Sequence, residues 1–176
     1  MALAQRKNIR LKDYSYSQAG EYFITICAKD KRCLFGHVAE AESLGSAPYT
    51  VLSLVGQSVK KHILTMEKIT GLSLERYIIM PNHIHLLLHI HGSDQKDIRC
   101  DEIIPRAVAM LKRLSNADAG ENVFQRSYYD HIIRDEADHL KIVDYIDNNP
   151  ARWNKDKLNP QCNIQKAPMS VNDSAM

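Results

Sequence analysis

The chain contains no hydrophobic run approaching about 18 residues, the length a membrane-crossing helix requires, and nothing patterned like a signal peptide. The expectation is a cytoplasmic protein with no membrane partner. Its four cysteines, Cys27, Cys33, Cys100 and Cys162, are scattered without C-x-x-C spacing, which excludes a zinc ribbon and a dithiol redox motif. They are expected to be reduced packing residues. A strong charge of either sign is also missing: the formal net charge is +2, too little to announce a nucleic-acid ligand from composition alone. What remains is ordinary, since 176 residues with 44% hydrophobic and 25% charged content suit a single globular domain with a real core.

Charge placement says more than charge balance. Arg6, Lys7, Arg10 and Lys12 open the chain with Tyr14 and Tyr16 among them, Lys60 and Lys61 lie mid-chain, and Arg106, Lys112 and Arg113 fall in one segment. Such clusters usually form solvated faces, but they would suit a phosphate backbone if they converged on a site. Residues 1–20 read as a basic arm, 21–154 as the folded domain, and 155–176 as a polar tail expected to be poorly ordered.

The most informative stretch runs from Tyr77 to His91, YIIMPNHIHLLLHIH. In its second half His83, His85, Leu87, His89 and His91 share one parity, and Ile84, Leu86, Leu88 and Ile90 share the other. Period 2 marks a strand with one apolar face. The histidine parity must then face a groove, a second layer or water. Same-face neighbours on a strand lie roughly 6 to 7 Å apart, so His83 and His85 can converge on one ion at nitrogen–metal distances of about 2.0 to 2.1 Å. His89 stands about 13 Å beyond His85 by the same rise and cannot join them. Pro81-Asn82 marks a turn just ahead of the pair, placing it at an element boundary. On spacing alone, a structural His-x-His and a metal site are equally open.

Around this stretch, Glu21–Ala28 (EYFITICA) reads as a strand and Leu34–Val38 as a short second one. Residues 42–48 form a loop. Apolar residues at Val51, Leu54, Val55, Val59, Ile63 and Met66 predict an amphipathic helix over about 49–68. Leu72–Met80 and His83–His91 are paired strands, Asp101–Leu114 a helix with Pro105 in its first turn, Asn116–Asn122 a loop, and Val123–Arg134 extended. From Asp135 a last helix runs to just before Pro150. Strands and helices in this order predict an α+β fold, an antiparallel sheet carrying its helices mainly on one face.

On the last helix Asp138, Lys141, Tyr145 and Asn149 form a polar stripe, with Tyr145 and Asn149 one turn apart. A phenol beside an amide is a nucleophile beside an oxygen ligand. A tyrosine bordering an apolar arc is also a common core residue.

Three motifs in order, His-Ile-His after a Pro-Asn turn, then FQRSYYDHIIR, then DYIDNNP, resemble the HUH-class single-strand DNA transposases with one catalytic tyrosine, in particular the REP-associated tyrosine transposases. The resemblance spans roughly residues 6–153 and includes YFITICAKDKRCLFG and MPNHIHLLLHI. It implies a ferredoxin-like or RRM-like HUH nuclease core. It further implies that His83 and His85 bind Mg2+ or Mn2+, with Asn149 where relatives place a third ligand, commonly the longer Gln. Tyr145 would be the nucleophile that cleaves single-stranded, hairpin or REP-like DNA through a 5′-phosphotyrosine intermediate. Arg6, Lys7, Arg10, Tyr14, His131 and Lys141 are candidate DNA contacts, and a homodimer sharing its sites is open. Two other functions compete: a hairpin-binding protein that has lost cleavage, and a metal-dependent nucleotide hydrolase. Histidine-triad hydrolases want a third histidine where this chain has Leu87.

Overall fold

The computed structural model describes residues 19–40, 47–91 and 100–160. The elements are β1 (Gly20–Cys27), β2 (Gly36–Ala39), β3 (Tyr49–Leu52), α1 (Leu54–Thr65), β4 (Leu72–Ile79), β5 (His83–Ile90), α2 (Cys100–Ala119), β6 (Tyr129–Ile133) and α3 (Glu136–Asp147). A 3-10 turn follows α3 over Pro150–Lys155. Four strands form one antiparallel sheet in the order β4-β5-β1-β6, and β2 pairs with β3 in a separate hairpin. This is the expected α+β arrangement.

The alternation in β5 decides the layering. Ile84, Leu86, Leu88 and Ile90 are at most 1% exposed and pack with Tyr22, Ile24 and Ile26 of β1 beneath α1 and α2. Each such side chain contributes about 1.5–3 kcal/mol of transfer free energy, an upper figure because the unfolded chain already buries some of it. The opposite face is divided. Leu87 is covered by Ile146, Ile142 and Val143 of α3, with Phe23, Ile78 and Ile133 beside them. His83 and His85 lie beyond this patch, and at the other end His89 stacks on His91 with ring centroids 4.6 Å apart. The four histidines of one parity thus fall into two separate pairs, with Leu87 and α3 between.

Polar contacts fix α3 to the sheet at both ends. Arg76 of β4 donates twice to the Asp147 carboxylate at 3.0 Å. At the other end His139 presents Nδ1 to Glu21 at 2.8 Å and Nε2 to Glu75 at 3.3 Å. Glu75 is the extra residue of a bulge, since Leu74 pairs with Leu88 and Arg76 with Leu87. These three side chains lie close enough to share an ion. With a carboxylate at each ring nitrogen, however, they are arranged to hold an imidazolium. The hydrogen bond from Glu21 raises the His139 pKa, aided by the charges of Glu75 and Glu136 and opposed by partial burial. A raised folded-state pKa gives stability that is fully present below about pH 6.5 and is lost as pH rises through the folded value. Amide exchange in the first turns of α3 should therefore quicken as pH rises above neutrality, after correction for intrinsic rates. His139→Gln should show that faster exchange already at pH 6, and unchanged exchange there would remove the clamp.

The structure corrects three expectations about the elements. Residues 49–52 are strand β3, not helix: Ser53 caps α1, its Oγ accepting from the Gly56 N–H at 3.1 Å, and Leu54 is 84% exposed despite fitting the apolar period. The Phe35 carbonyl lies so close to Gly56 that a Cβ there would collide with it, which seats α1 on the β1–β2 connection. Helix α2 runs on to Ala119, through residues expected to form a loop, and Pro105 lies well inside it. Beyond 154, the chain stays packed as far as it is described: Asn159 is 3% exposed and the Leu158 carbonyl accepts from Asn82 Nδ2 at 2.7 Å. The arm residues Arg6, Lys7, Arg10 and Tyr14 and the tail from 161 onward lie outside the described residues. Among the described residues, no helix is long and apolar enough to cross a membrane.

Candidate active site

His83 begins β5 directly after the Pro81-Asn82 turn, and His85 follows on the same face. They are 0% and 2% exposed, with ring centroids 4.6 Å apart. The Tyr145 ring, from the last turns of α3, meets His85 edge-on at 5.2 Å and Phe23 at 5.9 Å. Phe23 in turn stacks on His85 at 4.9 Å. One chain therefore brings the phenol and both imidazoles together without a second subunit. They border a cleft of about 710 Å³ whose walls include Thr25, Tyr129, Asn149 and Arg152, within the usual range of ligand pockets of roughly 300–1,000 Å³.

Asn82 determines how His83 is presented. Its Nδ2 donates to the Lys31 and Leu158 carbonyls at 3.0 and 2.7 Å, which fixes the amide so that Oδ1 accepts from His83 Nδ1 at 2.9 Å. The proton of a neutral His83 is thus on Nδ1, and the Nε2 lone pair is free. Thr25 Oγ1 lies 2.9 Å from His85 Nδ1 and, by accepting, leaves His85 in the same tautomer. Three buried atoms on this side of the sheet have no hydrogen-bond partner: His83 Nε2, His85 Nε2 and Asn149 Oδ1. Buried polar atoms are rarely left so, because each costs about 1–3 kcal/mol.

The electrostatics keep these groups neutral. Burial lowers the His83 pKa to about 4 against the opposing pull of Asp156. Burial, reinforced by His83, holds His85 well below the ordinary imidazole range. Burial also raises the Tyr145 pKa, and so does the charge of Asp156, while a hydrogen bond from Asn149 and the charge of Arg152 oppose them. A bond that favours the phenolate must be donated to it, so it comes from Asn149 Nδ2. That leaves the Oδ1 of Asn149 as the unpartnered atom.

Of the residues singled out from sequence, His83, His85, Tyr145 and Asn149 are together. Asn149 lies just beyond α3, at the entry to the 3-10 turn, and is 1% exposed. His131 is on β6 beside this group, paired with Asp138 at 2.8 Å and largely exposed. Lys141 is exposed on α3 and does not line the cleft. Several cleft residues escaped sequence reasoning. Phe23 and Thr25 lie inside an apolar strand motif, and Arg152, Lys155, Asp156 and Lys157 belong to the 3-10 turn or the supposed tail. Only Asn82 had a signal, the turn it sits in.

No protein-family model matches the chain. An uncharacterised protein of Haemophilus influenzae is 35% identical, over 87% of this chain and 92% of its own length. A REP-associated tyrosine transposase of Escherichia coli is 20% identical over 78% of this chain and 70% of its own. Among solved structures, a REP-associated tyrosine transposase bound to a REP hairpin superposes with a TM-score of 0.56, covering 86% of this chain and 74% of that one at 19% identity. The structural likeness establishes the shared fold; the sequence matches and the order of the three motifs carry the relationship. By sequence and by fold, the chain belongs with the REP-associated tyrosine transposases.

Proposed function

We propose that the chain is a DNA strand-transferring nuclease. It would cleave single-stranded or hairpin DNA by attack of Tyr145 on a phosphodiester, with a divalent ion held by His83, His85 and Asn149. The observation that carries this reading is the set of unpartnered buried acceptors, two imidazole nitrogens and an amide oxygen, beside a phenol at a cleft. That donor set fits a divalent ion. Its two nitrogens favour Mn2+ over Mg2+, which prefers oxygen. When bound, such an ion draws charge from the scissile phosphate.

The chain's own residues supply the rest. Asn82 and Thr25 hold the imidazoles in the ligating tautomer, and the low pKa of His83 keeps it unprotonated at neutral pH. Phe23 and His85 fix the Tyr145 ring, and Asn149 donates to its oxygen. Attack of that oxygen on phosphorus, with loss of the phenolic proton to water, breaks the bond to O3′. It leaves a 5′-phosphotyrosine and a free 3′-OH. The phosphodiester energy is retained, so rejoining needs no nucleotide cofactor. Arg152, Lys155 and Lys157 at the cleft supply cations for the backbone, and Tyr129, 54% exposed, offers a ring for base stacking. A solved relative holds a REP hairpin, which supports a hairpin as the substrate here.

The test is to incubate the full chain with end-labelled hairpin oligonucleotides and Mn2+, then to resolve the products under denaturing conditions. A label that migrates with the protein is expected, and chelation should abolish it. Free nucleotide would indicate a hydrolase, and a mobility shift with intact DNA a binder that does not cut.

A further inference from the structure

Asp156 lies two residues beyond where the domain was expected to end, yet its side chain is only 9% exposed. Its backbone N–H bonds to the Trp153 carbonyl at 3.0 Å, and its Oδ1 accepts from the Leu158 N–H at 2.7 Å. The carboxylate is therefore held rigidly, with Oδ2 the less engaged oxygen. Oδ2 lies 3.8 Å from His83 Nε2. That separation is too long for a hydrogen bond, and the nitrogen is indeed without a partner. It matches two donors on one ion: at about 2.1 Å from a common metal they stand roughly 3.0 Å apart at a right angle and about 4.2 Å apart in line. Arg152, Lys155 and Lys157 line the same cleft, but among the described residues none brings a lysine or arginine nitrogen within ion-pairing distance of Asp156. A nearly buried carboxylate without a cationic partner is costly.

We propose that Asp156 is a further ligand of the divalent ion, its Oδ2 binding the same ion as His83 Nε2. This rests on the metal site proposed above and deepens it. The donor set becomes two imidazoles, an amide oxygen and one carboxylate, and the chain beyond α3 becomes part of the metal centre. Asn82 connects the two halves, donating to Leu158 while it accepts from His83.

Mn2+ titrated into the full chain without DNA, followed by loss of the free-ion electron paramagnetic resonance signal, tests this apart from activity. Asp156→Asn keeps an oxygen that can accept from Leu158, so the metal-free protein should melt as wild type does. Its Mn2+ affinity should fall by at least about tenfold, the lower end of what even an outer partner of a metal ligand is worth. Its Mn2+-induced rise in melting temperature should shrink accordingly. A metal-free melting temperature that drops while the Mn2+-induced rise stays intact would show Asp156 to be only a structural tie and overturn the assignment. Equal affinity in Asp156→Asn and wild type, with His83→Gln losing the ion, would overturn Asp156 and leave the histidine site standing. A wild-type chain that takes up no Mn2+ would overturn both.

Discussion

Tyr145→Phe should abolish the covalent protein–DNA product, a loss of at least about 10⁴-fold, as is usual when a nucleophile is removed. The ring's contacts with His85 and Phe23 do not involve the hydroxyl, so packing should survive. Only the bond with Asn149 is lost, at a cost of about 1 kcal/mol. Mn2+ affinity and hairpin binding should accordingly change little, separating a chemical defect from a folding defect. The comparison to make is adduct yield against hairpin affinity for the two proteins side by side. If the variant still formed the adduct at the wild-type rate, the nucleophile would have to be sought elsewhere, Tyr129 of the same cleft first.

Asn82→Ala should have the largest effect of any change outside the reacting groups. One amide makes three bonds across the chain, to His83, to Lys31 and to Leu158. Alanine leaves two carbonyls and a ring N–H to find other partners, a loss on the order of 2–4 kcal/mol in unfolding free energy. It also frees His83 to adopt the other tautomer and loosens the segment that carries Asp156. Mn2+ affinity should drop about 10- to 100-fold, the usual worth of a residue that orients a metal ligand. Asn82→Asp offers the contrast, since it retains an acceptor for His83 Nδ1 but neither donor. It should recover part of the affinity and little of the stability. Denaturant melts and Mn2+ titrations of both variants decide the matter, and Asn82→Ala binding Mn2+ as tightly as wild type would refute this role.

How much could be read in advance depended on how local the determinants were. The alternation of β5 is a property of eight consecutive residues, so its two faces, and the pairing of His83 with His85 rather than with His89, followed from rise alone. The polar stripe of α3 was legible for the same reason. Residues 49–52 were misassigned because a three-and-four period can begin by chance inside a strand. There Tyr49, Thr50 and Val51 favoured extension, and Ser53 marked the true helix start. Asp156 could not be found, because nothing in a short polar segment reports that an asparagine far upstream will hold it down. Thr25 was hidden in a different way. Only the register that sets it opposite His85 makes a strand threonine a partner of the metal site.

The bulge at Glu75 also bears on how molecules meet. Strand β4 is an outer strand of the sheet, and a straight outer strand invites a neighbouring molecule to extend the ladder. Here the ladder is interrupted at Glu75, while residues 77–79 face Tyr49, Thr50 and Leu52 of the small hairpin across a groove of about 380 Å³. Half of that margin is thus kinked and the other half screened. Copies of this protein crowded along repeated DNA hairpins are poorly shaped to zip together through it.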